Sequence, residues 1–295
     1  MKELIIENLT KTYKNGVKAL DDVNLRVGPG MFGLLGPNGA GKSSLMRTIA
    51  TLQSADGGSI RFGDIDVREN PQALRRTLGY LPQEFGVYPQ VSAEDLLLYF
   101  AELKGISSKK QRREITDYVL QLTNLQPHRH HKVSGYSGGM KQRFGIAQML
   151  LNNPSLIIVD EPTAGLDPAE RQRFLNILRE IGAEHTVIFS THIVDDVREL
   201  CHQLAILNQG RVLFRGTAEE GTAQLSGKIW TKAIDRADFE MEDRTFTVLS
   251  SHYNPDNSLQ IRVHSDGLPN DTFIPATPSL EDLYFAKLKM GEADV

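Results

Sequence analysis

The chain has 295 residues, 33 basic and 37 acidic side chains and a single cysteine, a length that buries one core of about 200 to 250 residues and leaves a smaller piece over. The near balance of charge argues against a protein that tracks nucleic acid. Cys201 cannot close an internal disulfide, "MKELIIENLT" has no apolar signal core, and no stretch approaches the roughly 18 apolar residues of a spanning helix, so a reducing cytosol is the expected compartment.

Taken in chain order, "KELIIENLTKTY" and "LDDVNLRV" carry β-type apolar positions on either side of "KNG", which predicts an antiparallel pair. "MFGLLG" reads as a buried strand running into a glycine loop. "KSSLMRTIATL" then has helical spacing, and "GSIRFGDIDV" returns to strand. From Ser92 to about Asn153 the pattern is helical: Ser92 with Asp95 forms a capping box, and Gly105 stands where that first helix stops. "KQRREITDYVLQLTNL" predicts a second helix. A strand "SLIIVD", a helix over about 169–181, a strand "TVIFS", a helix over about 194–201 and the strand pair "QLAILNQGRVLFRG" follow. Strands alternating with helices imply an α/β layer with parallel strands and a helical insertion.

Near residues 221–228 the style changes. "KIWTKAI", "TFTVLSSHY" and "SLQIRVHS" alternate as strands, with "NPDN" as a turn between the last two. "TPSLEDLYFAKLK" predicts an amphipathic helix capped by Thr277, with Pro278 first and Leu280, Leu283, Tyr284 and Leu288 on one face. Residues 228–295 thus read as a small α+β appendage.

The chemistry concentrates in two places. Gly36-Pro37-Asn38-Gly39-Ala40-Gly41-Lys42-Ser43, followed by Ser44, matches G-x-x-x-x-G-K-[ST] between a predicted strand and a predicted helix. Glycines let the backbone N–H groups turn inward, the helix start adds positive potential, Lys42 can reach β and γ phosphates, and the Ser43 hydroxyl suits Mg²⁺. "LIIVDEP" places Asp160 and Glu161 at the carboxyl end of a buried strand, where ligands of open α/β sheets collect. Asp160 would hold Mg²⁺ directly or through water, and Glu161 is the candidate general base for an attacking water.

In this order and spacing, "GPNGAGKSS", "YSGGM", "LIIVDEPTAGLDP" and "STH" resemble an ATP-binding cassette, the ATPase subunit of ABC transporters, over about residues 2–225. The resemblance implies a P-loop NTPase cassette over 1–227: a RecA-like mixed sheet, an antiparallel β subdomain and a helical subdomain at about 84–153, with 228–295 as an accessory domain. It further implies that Tyr13 stacks on adenine, that Gln83 in "YLPQ" senses Mg²⁺ and water, and that His192 approaches the γ phosphate. Asp167 would lie at a subunit contact. Ser137, Gly138 and Gly139 would face the ATP held by a second cassette, so one chain supplies half of each of two sites in a head-to-tail pair. Tyr136 and Met140 replace the commoner residues at the ends of that signature.

The implied partners are a second cassette, identical or not, and a separate membrane permease; nucleic acid is not among them. The implied location is the cytoplasmic face of the membrane. "YLPQEFGVYP" and "SLEDLYFAKL" are similar to the drug-resistance and ABC-2-type exporter branch, and Phe85 and Tyr88 are candidates for the permease contact. A soluble remodelling ATPase would call for two cassettes or a long coiled coil, and a P-loop kinase would leave "YSGGM" and "PTAGLDP" without purpose. "HRHHK", residues 128–132, and "KKQRR" read as solvated basic segments, and Cys201 as a small buried side chain near a helix end.

Overall fold

The computed structural model describes residues 2–86 and 90–293, with side chains to Gly291. β1 (Leu4–Thr12) and β2 (Lys18–Val27) pair antiparallel across the predicted turn, their alternate residues buried. β3 (Gly30–Leu35) runs into the glycine loop, and α1 (Lys42–Ile49) leaves it. The "GSIRFGDIDV" segment is a tight hairpin rather than one strand: β4 (Gly57–Phe62) turns at Gly63, φ 56°, into β5 (Ile65–Asp66). β2, β1, β4 and β5 form one antiparallel sheet. α2 (Pro71–Thr77) and β6 (Leu78–Leu81) follow.

The helical insertion holds α3 (Ala93–Leu103), α4 (Lys109–Leu122) and α5 (Gly138–Leu150). Ser92 caps α3 and exchanges hydrogen bonds with Asp95, and Gly105 ends that helix at φ 90°. Two basic segments are less solvated than expected. Arg112 is buried, its guanidinium on the Ile106 carbonyl and Glu102. Arg129 forks onto Glu94 and also reaches Asp117, so "HRHHK" has acidic partners that lie far away in sequence.

The chain then returns to the parallel layer with β7 (Leu156–Asp160), α6 (Pro168–Gly182), β8 (Thr186–Thr191), α7 (Val194–Leu200), β9 (Gln203–Asn208) and β10 (Arg211–Thr217). Every residue of β7 and β8 is buried, as expected for central parallel strands covered on both faces. The sheet order is β10-β9-β3-β8-β7-β6, parallel except for β10 against β9. With the antiparallel sheet beside it, this is the mixed α/β cassette architecture expected from the sequence. Its geometry brings the carboxyl ends of β3, β6, β7 and β8 to one edge.

Beyond α8 (Ala218–Ala223) come β11 (Ile229–Ile234), α9 (Phe239–Thr245), β12 (Thr247–Tyr253), β13 (Leu259–His264), β14 (Ile274–Pro275) and α10 (Leu280–Ala293). The strands form a third sheet, β12-β13-β11-β14, with Asn257 at φ 65° in the turn between β12 and β13. Its small core of Ile234, Val248, Leu259, Ile261, Val263 and Phe273 is separate, whereas Leu280, Leu283 and Tyr284 of α10 join the main core with Phe214.

Thr277 does not cap α10. Ser279 does, accepting from Asp282 N at 3.2 Å, while Asp282 accepts from Ser279 N at 2.8 Å; this reciprocal pair outcompetes Thr277, which has apolar Leu280 three residues on. Cys201 closes α7 as a buried thiol, and burial pushes its pKa far above the ordinary range.

Candidate functional site

Parallel β3 delivers the chain into the loop 36–41 with Leu34 and Leu35 fully buried behind it. α1 begins after Gly41, whose φ of 105° no side chain adopts easily, and a Cβ there would lie 2.4 Å from the Ala19 carbonyl oxygen. No side chain caps this helix start. Its leading N–H groups are thereby left to whatever anion enters the loop. The loop lines a cleft of about 810 Å³ together with Tyr13, Val17, Lys18, Ala19, Ser43, Ser44, Gln83, Glu161, Ala164, His192 and Gln209.

Lys42 is 4 % exposed and holds three partners: the carbonyls of Gly36 (2.7 Å) and Pro37 (3.0 Å) and Glu161 Oε1 (2.9 Å). Burying an ammonium is costly unless it is paired and hydrogen-bonded, and here it is both. The other carboxylate oxygen of Glu161, Oε2, lies 3.2 Å from His192 Nδ1. Glu161 therefore bridges the lysine of the loop and the histidine that follows β8.

Its backbone is strained, with φ 44° on a non-glycine residue, and its N–H is divided between the Ser190 carbonyl and Ser190 Oγ, each at 3.1 Å. The Ser190 hydroxyl in turn donates to Asp160 Oδ1 at 2.6 Å. One serine of β8 thus orients both acids at the end of β7. Asp160 is buried behind the cleft rather than lining it. Burial, and after it the charge of Asp160, pushes the Tyr80 hydroxyl above its ordinary range.

Tyr13 sits in the turn between β1 and β2, exposed, its hydroxyl 2.9 Å from Ser44 Oγ and donating to Gln53 Oε1 at 3.1 Å. The contact ties the Tyr13 hydroxyl to the start of α1 at the wall of the cleft. Gln83 is exposed two residues beyond β6.

The remaining sequence candidates lie elsewhere. Ser137, Gly138, Gly139 and Asp167 are absent from the walls of this cleft. Ser137 caps α5, accepting from Met140 N at 3.2 Å, and Asp167 caps α6, accepting from Glu170 N at 2.9 Å. Ser137, Gly138 and Asp167 are exposed. Gly139 is buried because Glu170 packs on it, so that a Cβ would come within 2.4 Å of Glu170 Oε2. Tyr136 is the structural end of the motif: it is 5 % exposed, meets Phe144 edge-on and donates to the His128 carbonyl, and burial pushes its pKa up to about 12.

Phe85 is only partly exposed and packs on the main core, against the expectation of an open interface aromatic; Tyr88 lies outside the described residues. Sequence reasoning missed Val17, Lys18, Ala19 and Gln209, which the pairing of β2 beside the turn at Gly210 brings to the cleft, and missed Ser190, two residues before His192 in "STH".

The donor set suits its expected ligands. A positive-φ glycine cradle, an uncapped helix start and a buried lysine fit the phosphates of ATP. Hydroxyl and carboxylate oxygens suit a hard divalent ion.

The ABC transporter family profile matches residues 20–164. The ABC transporter ATP-binding protein YxlF of Bacillus subtilis is 32% identical over 95% of this chain and 98% of its own length. The linearmycin resistance ATP-binding protein LnrL, also of Bacillus subtilis, is 34% identical over 75% of this chain and 71% of its own. Among solved structures, a dimeric post-hydrolysis state of the ATP-binding cassette MJ0796, bound to ADP and Pi, superposes with a TM-score of 0.66 at 28% identity, covering 72% of this chain and 98% of that one. Cassettes of this kind dimerise, associate with the membrane and work with a transmembrane permease, while no helix among the described residues is long and apolar enough to cross a membrane. With its cleft, its acids at the strand ends and its relatives in agreement, the chain belongs to the ABC transporter ATP-binding family and is an ATP-hydrolysing cassette.

Proposed function

We propose that this cassette powers an exporter, and that Glu161 is the general base of its ATP hydrolysis. The observation that carries the reading is the position of Glu161 between Lys42 and His192 at the mouth of the glycine cradle, on a backbone held out of its ordinary region. A phosphate entering the cradle competes for the same ammonium that Glu161 now holds. As Lys42 turns to the phosphate, the Glu161 carboxylate is freed to accept a proton from water, with His192 beside it to orient the γ phosphate. Lys42, the loop N–H groups and Ser44 hold the phosphates, and Tyr13 offers its ring face to adenine.

Ser43 and Asp160, with Gln83 at the edge, would hold Mg²⁺ directly or through water. When bound, the ion supplies charge neutralisation on the phosphate oxygens. Ser137, Gly138 and Asp167, exposed and outside this chain's own cleft, are assigned with the buried Gly139 beside them to the ATP of a second cassette. The simplest closed arrangement is two-fold and uses two copies of this chain, although a related cassette fits the same geometry. Closing such a pair from 1:99 to 99:1 needs about 5.5 kcal/mol of differential binding, within reach of several charge-assisted phosphate contacts.

Residues 1–227 form the cassette in this reading and 228–295 an accessory domain. The permease is a separate chain, the cassette lies on the cytoplasmic face of the membrane, and nucleic acid is not a partner. The exporter direction is supported by the likeness to LnrL, a resistance protein by name.

Glu161→Gln tests the central assignment. Turnover is expected to fall by about 10²–10⁴-fold, the range of a general base, while ATP binding persists and a stable ATP-bound pair accumulates. Near-normal hydrolysis would remove Glu161 from the role of base.

A further inference from the structure

Near the Glu161–His192 contact lies a second polar cluster, buried at Thr163 and Asp196 and partly exposed at Arg171, that the hydrolysis reading does not use. Asp196 is 0 % exposed. Its Oδ2 accepts from Thr163 Oγ1 at 2.7 Å, and its Oδ1 accepts from both Nε and Nη2 of Arg171, each at 2.7 Å. The three residues come from three segments: Thr163 from the loop after β7, Arg171 from the first turns of α6, and Asp196 from α7.

Their places along the chain give the cluster its meaning. Thr163 follows Glu161 by two residues, and Asp196 follows His192 by four. Glu161 is already tied on its own N–H to Ser190, two residues before His192. The segments 161–163 and 190–196 are therefore joined twice, once on each side of the Glu161–His192 pair. A single tie would leave either segment free to pivot; two ties fix their separation. Arg171 fastens this frame to the helix that Asp167 caps.

A fully buried carboxylate has a large desolvation cost, and an apolar set of the same shape would pack at least as well. Its presence calls for a directional role. We propose that Thr163, Asp196 and Arg171 are positioning residues that hold Glu161 and His192 in register for hydrolysis. The proposal rests on Glu161 being the general base.

The test exploits the two halves of a threonine. Thr163→Val keeps the shape and loses the hydroxyl, whereas Thr163→Ser keeps the hydroxyl and loses the methyl. Steady-state ATP turnover, equilibrium ATP binding and the thermal midpoint are measured on the full chain. For Thr163→Val, kcat is expected to fall about 10- to 100-fold, the cost of displacing a catalytic group by a fraction of an ångström to an ångström, with ATP affinity unchanged within about twofold. Thr163→Ser is expected to retain wild-type kcat, and Asp196→Asn to behave like Thr163→Val. If Asp196→Asn fails to fold, the threonine pair decides alone, since neither change touches a charge.

The proposal is overturned if Thr163→Val keeps its kcat, if Thr163→Ser suffers equally, or if kcat and affinity fall together. Glu161→Gln measured alongside separates the two readings. An active Glu161→Gln sinks the base assignment, whereas an inactive Glu161→Gln beside a fully active Thr163→Val sinks only the positioning role.

Discussion

Two buried carboxylates, Glu161 and Asp282, each pair with a basic side chain, and their differences separate a working group from a structural one. Asp282 is 1 % exposed and saturated: Arg262 donates from Nε (2.8 Å) and Nη2 (2.7 Å), and Ser279 donates from N (2.8 Å) and Oγ (2.7 Å). It lies in the first turn of α10 on regular backbone, where acids are favoured. Glu161 stands at a cleft, on strained backbone, with one lysine contact and one histidine contact. A carboxylate held by four donors of its own fold, away from any cleft, has little to exchange. In the proposed reading, Glu161 trades Lys42 for a water when a phosphate claims the lysine.

The contrast is sharpest when one partner of each pair is removed. Lys42→Ala is expected to lower kcat/KM for ATP by about 10²–10³-fold, as for loss of a single preorganised charge donor, with little change in the thermal midpoint; ATPase kinetics check it. Asp282→Ala should do the reverse, costing about 3 kcal/mol of stability by leaving Arg262 without its buried partner, with ATP turnover per folded chain intact. Equal effects of both changes on turnover would erase the distinction.

Asp282 also carries a pH signature. Burial raises its pKa, but the hydrogen bonds from Arg262 and Ser279 outweigh burial and hold the carboxyl below its ordinary 3.8. The group binds fewer protons folded than unfolded, so its stabilisation is complete above that ordinary value and is lost as pH falls through the lower folded one. Acid unfolding of Asp282→Asn should therefore be less steep across that window, and an unchanged acid limb would remove Asp282 from the account.

Two smaller effects refine the cleft side. Ser137→Ala is expected to lower paired turnover by about tenfold through loss of a charge-assisted contact, while ATP binding to a single chain is unchanged. The accompanying loss of the α5 cap costs about 1 kcal/mol, and Ser137→Gly, which costs helices only a few tenths, controls for it. Tyr13→Ala should raise KM about fivefold by loss of ring contact, whereas Tyr13→Phe, which keeps the ring and drops only the bonds to Ser44 and Gln53, should stay near wild type.

The cleft was legible where its chemistry is local. The glycine loop, Lys42 and the acid pair after "LIIV" are contiguous strings whose spacing carries their mechanism. Val17, Ala19 and Gln209 were not, because β-pairing and a turn at Gly210 bring them together from distant stretches of chain. The Arg129 partners Glu94 and Asp117 escaped for the same reason. α9 escaped because seven residues, "FEMEDRT", give too few turns for a helical period to emerge. Ser279 was readable: a serine with an acid three residues on is a capping signature, overlooked beside the more prominent Thr277-Pro278.

The shared-site claim is tested most directly by mixing two crippled chains, Lys42→Ala and Ser137→Ala. In a mixed pair the first still supplies its Ser137 turn to the intact Lys42 cleft of the second, so one complete site is rebuilt. The expected result is ATP turnover in the mixture well above the average of the two variants measured alone. Turnover that is merely that average at every ratio and concentration would contradict the claim that each ATP is held between two cassettes.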